Sequence, residues 1–77
     1  MGVKVKLLAS FADRFGRREV DLAHVTGMTV QDVWEQATGG SPLQPNTLSA
    51  VNFEYCGLQA AVNDGDEVAF FPPVTGG

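Results

Sequence analysis

The sequence of 77 residues has one cysteine, one histidine and, beyond Arg18, no lysine or arginine. A lone Cys56 cannot close an intrachain disulfide, and the default setting for such a chain is cytoplasmic. With His24 as the only imidazole there is no Cys/His pair and no metal-ligand spacing, so independent acid–base or metal chemistry is not expected and no metal site is assigned. No apolar stretch approaches the ~20 residues of a membrane span. The start, Met1-Gly2-Val3-Lys4-Val5-Lys6, alternates in polarity and does not read as a signal peptide. No membrane partner is expected.

Charge is scarce on one side only. Lys4, Lys6, Arg14, Arg17 and Arg18 are the whole basic complement, whereas eight acids follow from Glu19 onward, and the net charge is −4. Nucleic acid is a poor partner, because phosphate contacts need clustered cations. Two readings of the acidic excess stay open. It serves solubility, or it forms an acidic surface beside the C-terminal segment that steers it to a basic pocket.

What is present is enough for one small domain. Hydrophobic residues make up 44% of the chain, including five Phe, one Trp and one Tyr, which argues for a core and against disorder. A chain this short buries only about 60% of its unfolded surface, so modest stability is expected. Val3, Val5 and Leu7 alternate with Lys4 and Lys6 as a half-buried strand. Ser10 to Asp13 reads as a capping-box-like start to a short helix that carries Phe11 and Phe15 and ends near Gly16. Arg18 to Leu22 alternates again as a second strand. Thr29 is an N-cap with Asp32 three residues on, and Val30, Val33, Trp34 and Ala37 mark the apolar face of the main helix. Gly39-Gly40, Pro42 and Pro45 stop it. Ala50 to Tyr55 reads as a third strand, Asn63-Asp64-Gly65-Asp66 as a turn, and Glu67 to Phe71 as the last strand. His24 falls in a loop and reads as solvated, and Cys56 as a packed or idle thiol. Asp64, Asp66 and Glu67 read as turn chemistry or a docking surface rather than a metal cluster.

The C-terminal segment is the unusual part. Phe70 and Phe71 point to opposite faces of a regular strand, Phe70 inward with Val68 and Phe71 outward, where an exposed Phe reads as an interface anchor. Pro72 and Pro73 favour an extended path. Gly76 and Gly77 lack a Cβ and suit a narrow channel. The α-carboxylate of Gly77 would then be the one reactive group at the tip, inert at neutral pH until activated.

The element order and the run Asp64-Gly65-Asp66-Glu67-Val68-Ala69-Phe70-Phe71-Pro72-Pro73-Val74-Thr75-Gly76-Gly77 resemble the small subunits of molybdopterin synthase, within the ubiquitin-like β-grasp sulfur carriers. Ala50-Val51-Asn52 looks like that family's third-strand motif, and Phe11 and Arg14 after the first strand are compatible. Ala61-Val62 stands where the family commonly has Pro-Leu. The resemblance implies an α+β fold, a mixed sheet packed on one main helix, in a single domain over residues 1–77 with a tail from about 72 to 77. It implies that a ubiquitin-activating-like adenylyltransferase uses ATP to adenylate Gly77, and that sulfur is then carried there as a thiocarboxylate with no cofactor held permanently. It further implies insertion of the tail into a large synthase subunit, within a heterotetramer. There sulfur passes to a cyclic pterin monophosphate on the way to the molybdenum cofactor, and catalysis lies mainly in the large subunit. Phe71, Pro73, Val74, Thr75 and Gly76 would contact partners. A thiamine-pathway carrier and a ubiquitin-like protein modifier are the alternatives.

Overall fold

The computed structural model describes residues 2–43 and 46–72. Chain order is β1 (Val3–Leu7), α1 (Ser10–Phe15), β2 (Glu19–Leu22), α2 (Val30–Thr38), β3 (Leu48–Val51), β4 (Glu54–Cys56) and β5 (Glu67–Phe71). The five strands form one sheet in the order β2-β1-β5-β3-β4. The first and last strands, β1 and β5, lie side by side and parallel, with Val5 opposite Val68 and Leu7 opposite Phe70. The β1–β2, β3–β5 and β3–β4 pairs are antiparallel. A mixed sheet with its main helix on one face is what the element order predicts, and it is the ubiquitin-like β-grasp arrangement that the resemblance implies.

The inner face follows from period-two alternation. Val3, Val5 and Leu7 of β1 and Val68 and Phe70 of β5 are buried against Val30, Val33, Trp34 and Ala37 of α2, with Phe11 of α1 and Met28 and Val62 of the loops completing the core. Trp34 is its centre, with its ring centroid 5.2, 5.6 and 5.0 Å from those of Phe11, Phe15 and Phe70. The main helix starts as expected. Thr29 Oγ1 accepts from Asp32 N–H at 3.3 Å, and Asp32 Oδ2 accepts from Thr29 N–H at 2.9 Å. It ends at Gly39 in the left-handed region (φ 70°), where glycine escapes the Cβ penalty.

Three local expectations are corrected. The short helix has no side-chain cap: Ser10 is already helical, and the residue before it is Ala9 at φ 53°. The stretch Ala50 to Tyr55 is two strands rather than one, because Asn52 and Phe53 both take positive φ (50° and 71°) and turn the chain back, pairing Val51 with Glu54. His24 is not simply solvated, because its Nε2 donates to Val62 O at 2.8 Å and ties the loop before α2 to the segment before β5.

The hairpin turn yields a stability prediction. A two-residue turn with both φ positive is the place for Asn-Gly, and a bulky residue there costs about 1–2 kcal/mol in αL. The Phe53 side chain is 88% exposed and has little packing to lose. Phe53→Gly is therefore expected to stabilise the domain by roughly 1 kcal/mol after the entropy of glycine is set against the relieved strain. Differential scanning calorimetry should show a rise of about 4 °C or more in Tm. A lower Tm would show that the turn is unstrained.

Candidate functional site

The residues singled out in the sequence converge on the end of β5. Phe70 is fully buried, while Phe71 is half-buried on the outer face, as alternation requires. Pro73, Val74, Thr75, Gly76 and Gly77 lie outside the described residues. Their readings are carried by the sequence alone, and Phe71 is the member of the set with a defined environment.

That environment is an apolar surface reaching across three strands. Register places Leu48 of β3 opposite Phe71, and Ala50 opposite both Ala69 of β5 and Tyr55 of β4. Leu8, just past β1, follows the same outward parity as Lys4 and Lys6. The Tyr55 ring lies 6.0 Å from that of Phe71, and Tyr55 and Leu48 are 74% and 41% exposed. At the tip of the hairpin stands Phe53. Sequence reading identified Phe71 and missed Tyr55, Leu48 and Phe53. Tyr55 was placed on a strand that in fact turns at Asn52, so its partnership across β3 with β5 was out of reach. The available signal was Asn52 itself, a residue tolerant of positive φ between two apolar runs.

Asn52 does structural work at the opposite end of β5. Its N–H donates to Glu67 O at 2.8 Å, its Nδ2 donates to Asp66 Oδ1 at 3.0 Å, and its Oδ1 accepts from Glu67 N–H at 3.0 Å. The turn before β5 closes with Asn63 N–H donating to Asp66 Oδ2 at 2.8 Å, and Gly65 at φ 89°. These contacts set the start of β5 and hence where Phe71 emerges. They also account for Asp66 as turn chemistry. Among the described residues no group of three His, Cys, Asp or Glu side chains comes together to hold a metal. Cys56 is half-buried, its carbonyl accepting from Ser49 Oγ at 2.9 Å.

Charge is arranged differently from the sequence-based expectation. Asp64, Asp66 and Glu67 precede the tail closely in sequence, but they sit at the start of β5. The five residue-to-residue steps from Asp66 to Phe71 span roughly 17 Å of extended chain. The acidic surface is therefore at the far end of β5 from Phe71. On the outer face of the sheet, Lys4 and Lys6 of β1 both reach Glu19 of β2, at 3.4 and 3.3 Å. The hydrogen bond from Lys6, then that from Lys4, holds the Glu19 carboxyl below its usual range. With the folded value depressed, this contribution is present above the ordinary carboxylate range and fades as pH falls through the folded value. It is small, since the group is exposed.

A family model described as the ThiS family matches residues 5–77, and the chain belongs to that family. Among individual proteins, the molybdopterin synthase sulfur carrier subunit of Haemophilus influenzae is 60% identical over 30 residues. That match spans 39% of this chain and 37% of the relative's length. SAMP1 from Haloferax volcanii superposes with a TM-score of 0.86 at 29% identity, covering 100% of both chains. A protein from Pyrococcus furiosus described as subunit 1 of a molybdopterin converting factor has a TM-score of 0.75 at 28% identity, covering 96% of this chain and 99% of that one. No helix among the described residues is long and apolar enough to cross a membrane.

Proposed function

We propose that the chain is a sulfur carrier of molybdopterin synthesis, loaded at the Gly77 carboxylate. The observation that carries this reading is the family match running through to residue 77, over a tail whose sequence resembles that of the synthase small subunits. In the proposed cycle an adenylyltransferase holds ATP. The Gly77 carboxylate attacks the α-phosphate and pyrophosphate leaves. A sulfur nucleophile then displaces AMP, and the product is a thiocarboxylate. Its sulfur attacks a side-chain carbon of a cyclic pterin monophosphate in a large synthase subunit and displaces an oxygen there. Water then cleaves the acyl–sulfur bond, leaving sulfur on the pterin and returning the Gly77 carboxylate, and two such transfers give the dithiolene. The chain contributes the nucleophile and a docking body. A closed pocket in the partner would keep bulk water from the thiocarboxylate before transfer. Two copies of each subunit are proposed for the assembled synthase.

The test is intact mass after incubation with ATP, a sulfur source and the adenylating enzyme. One oxygen exchanged for sulfur at Gly77 is the expected result, and an unchanged mass with active partners would overturn it. Mixing the loaded chain with the molybdopterin and the thiamine acceptor enzymes then separates those two pathways by product.

The likeness to SAMP1 favours a second reading, because another solved H. volcanii structure at 30% identity is named small archaeal modifier protein 1. In that reading an acceptor lysine amine displaces AMP and forms an amide to Gly77. Lysine-linked adducts in cell extract would support it, whereas free thiocarboxylate supports the carrier.

In either reading the outer face around Phe71 is the docking surface. Truncating an aromatic anchor at the centre of an interface typically costs about 1.5–2 kcal/mol. Phe71→Ala is therefore expected to weaken binding to the large subunit about ten- to thirtyfold in calorimetry. Unchanged affinity would remove Phe71 from the interface.

A further inference from the structure

The tail reading leaves open what surrounds the tail when it docks, and the charge geometry supplies an answer. We infer that the end of the sheet where β5 gives out is a basic docking rim, and that the adenylating enzyme, where it receives the tail, carries carboxylates opposite Arg14, Arg17 and Arg18. This inference rests on the tail being the delivered group.

Topology brings the arginines there. β1 and β5 are parallel, so whatever follows β1 lies at the end where β5 finishes. The connection from Leu8 to Arg18 follows β1, and it holds all three arginines of the chain. Leu8 N–H donates to Phe70 O at 3.2 Å, and Leu7 N–H donates to Arg18 O at 2.9 Å. Arg18, Leu7 and Phe70 thus form one row across three strands, two strand spacings or about 10 Å from end to end.

The three side chains are exposed, and among the described residues none of them is in an ion pair. Both described lysines, by contrast, are taken up by Glu19. The Arg14 guanidinium lies over the Phe15 ring at 5.1 Å, which fixes its stem while leaving its charge outward. Arg18 borders a shallow cleft with Leu8, Ala12 and Asp13, the one carboxylate on this connection. Arg17 borders a neighbouring cleft with Phe15 and Gly39. Asp64, Asp66 and Glu67 are at the other end of β5.

A chain of net charge −4 with a positive end is polar along the sheet. A partner with an acidic mouth would draw the arginine end in first and present the tail to its channel. A basic mouth would draw the Asp64–Glu67 end and present the wrong side. Such steering changes association rates by about 10–10³-fold and falls steeply with salt.

The experiment uses the full chain, the adenylating enzyme of the same organism and ATP, following pyrophosphate release against carrier concentration and salt. The variants are Arg14→Gln/Arg17→Gln/Arg18→Gln, the matching triple change to Lys, and the chain lacking Gly77. The Gln variant is expected to need about ten- to a hundredfold more carrier for half-saturation at low salt, with an unchanged saturated rate. The gap should close at roughly 0.5 M salt, where screening is within a few ångströms. The Lys variant should restore most of the loss, and melting curves should match the parent. Identical half-saturation and salt slopes for the parent and the Gln variant would overturn the rim. So would arginine-dependent binding of a single-stranded oligonucleotide with partner binding unchanged. Parental rates from the chain lacking Gly77 would instead overturn the tail reading, so the two failures are distinguishable.

Discussion

Trp34→Ala is expected to leave the chain largely unfolded at room temperature. Trp34 is 1% exposed and meets Phe11, Phe15 and Phe70 edge-on, with interplanar angles of 62°, 83° and 72°. Removing a buried Trp costs about 3–5 kcal/mol, since neighbouring rings held by α1 and β5 collapse only partly into the cavity. Each favourable ring pair adds about 0.5–1.5 kcal/mol beyond its area. The indole also closes the chain beyond α2: its Nε1–H donates to Ser41 O at 2.8 Å, and Thr38 Oγ1 accepts from Ser41 N–H at 3.2 Å. At about 0.05–0.15 kcal/mol per residue, a chain of this length has roughly 4–12 kcal/mol in total. For a total in the lower half of that range, about 4–8 kcal/mol, the lost packing, ring pairs and hydrogen bond together remove most or all of it. Trp34→Phe keeps a ring in the cluster and loses part of the volume and the bond to Ser41, for about 1–2 kcal/mol. Urea melts followed by far-ultraviolet circular dichroism should lose their native baseline in the Ala variant and shift modestly in the Phe variant. A parental midpoint for Trp34→Ala would mean that the aromatic cluster is not the centre of the core.

The same cluster shows what a sequence can and cannot convey. Trp34 and its stripe were legible because an i, i+3, i+4, i+7 pattern and a Thr29/Asp32 cap are local signals with local causes. β1, β2 and β5 were legible because alternation fixes a face whatever the partner strand. The break between β3 and β4 was not, since Phe53 occupies the place where glycine would have announced the turn, and alternation runs through it unbroken. Ser10 misled in a similar way, because a serine ahead of an apolar pair suggests a cap, whereas the chain enters α1 through Ala9 at positive φ. The inversion of charge about β5 was out of reach for a different reason. Nearness in sequence put Asp64, Asp66 and Glu67 beside the tail, whereas they sit at the start of β5, and the parallel pairing of β1 with β5 puts Arg14, Arg17 and Arg18 at the end where β5 finishes. Of the candidate site, Phe71 follows from parity. The chemistry of Gly77 was read from the resemblance of the tail, because glycine itself carries no reactive side chain.

A chain shortened by Gly77, or lengthened by one residue beyond it, is expected to fold like the parent and to fail in sulfur transfer. The described core takes Val68 and Phe70 from β5, and neither change touches a residue of that core. Thermal melts should coincide. The chemistry is expected to respond very differently, because one residue of extended chain is up to about 3.5 Å. A reacting group held in a channel by contacts along the tail would be displaced by that amount from its position for attack. Misplacements of only about 1 Å can cost 10²-fold, so a loss beyond that figure is expected in both loading and transfer. Shortening leaves the carboxylate on Gly76, too far back to reach ATP, and lengthening buries the Gly77 carbonyl in a peptide bond. The readouts are intact mass for the thiocarboxylate and product formation from the cyclic pterin with the large subunit. Retained conversion by either variant would show that the loaded atom is elsewhere. Loss of conversion together with a lowered melting point would assign the tail a structural role instead. A variant that melts like the parent and stays unloaded separates delivery of sulfur from stability of the body. It would also locate the activation step at the Gly77 carboxylate, since the body presented to the enzyme is otherwise unchanged.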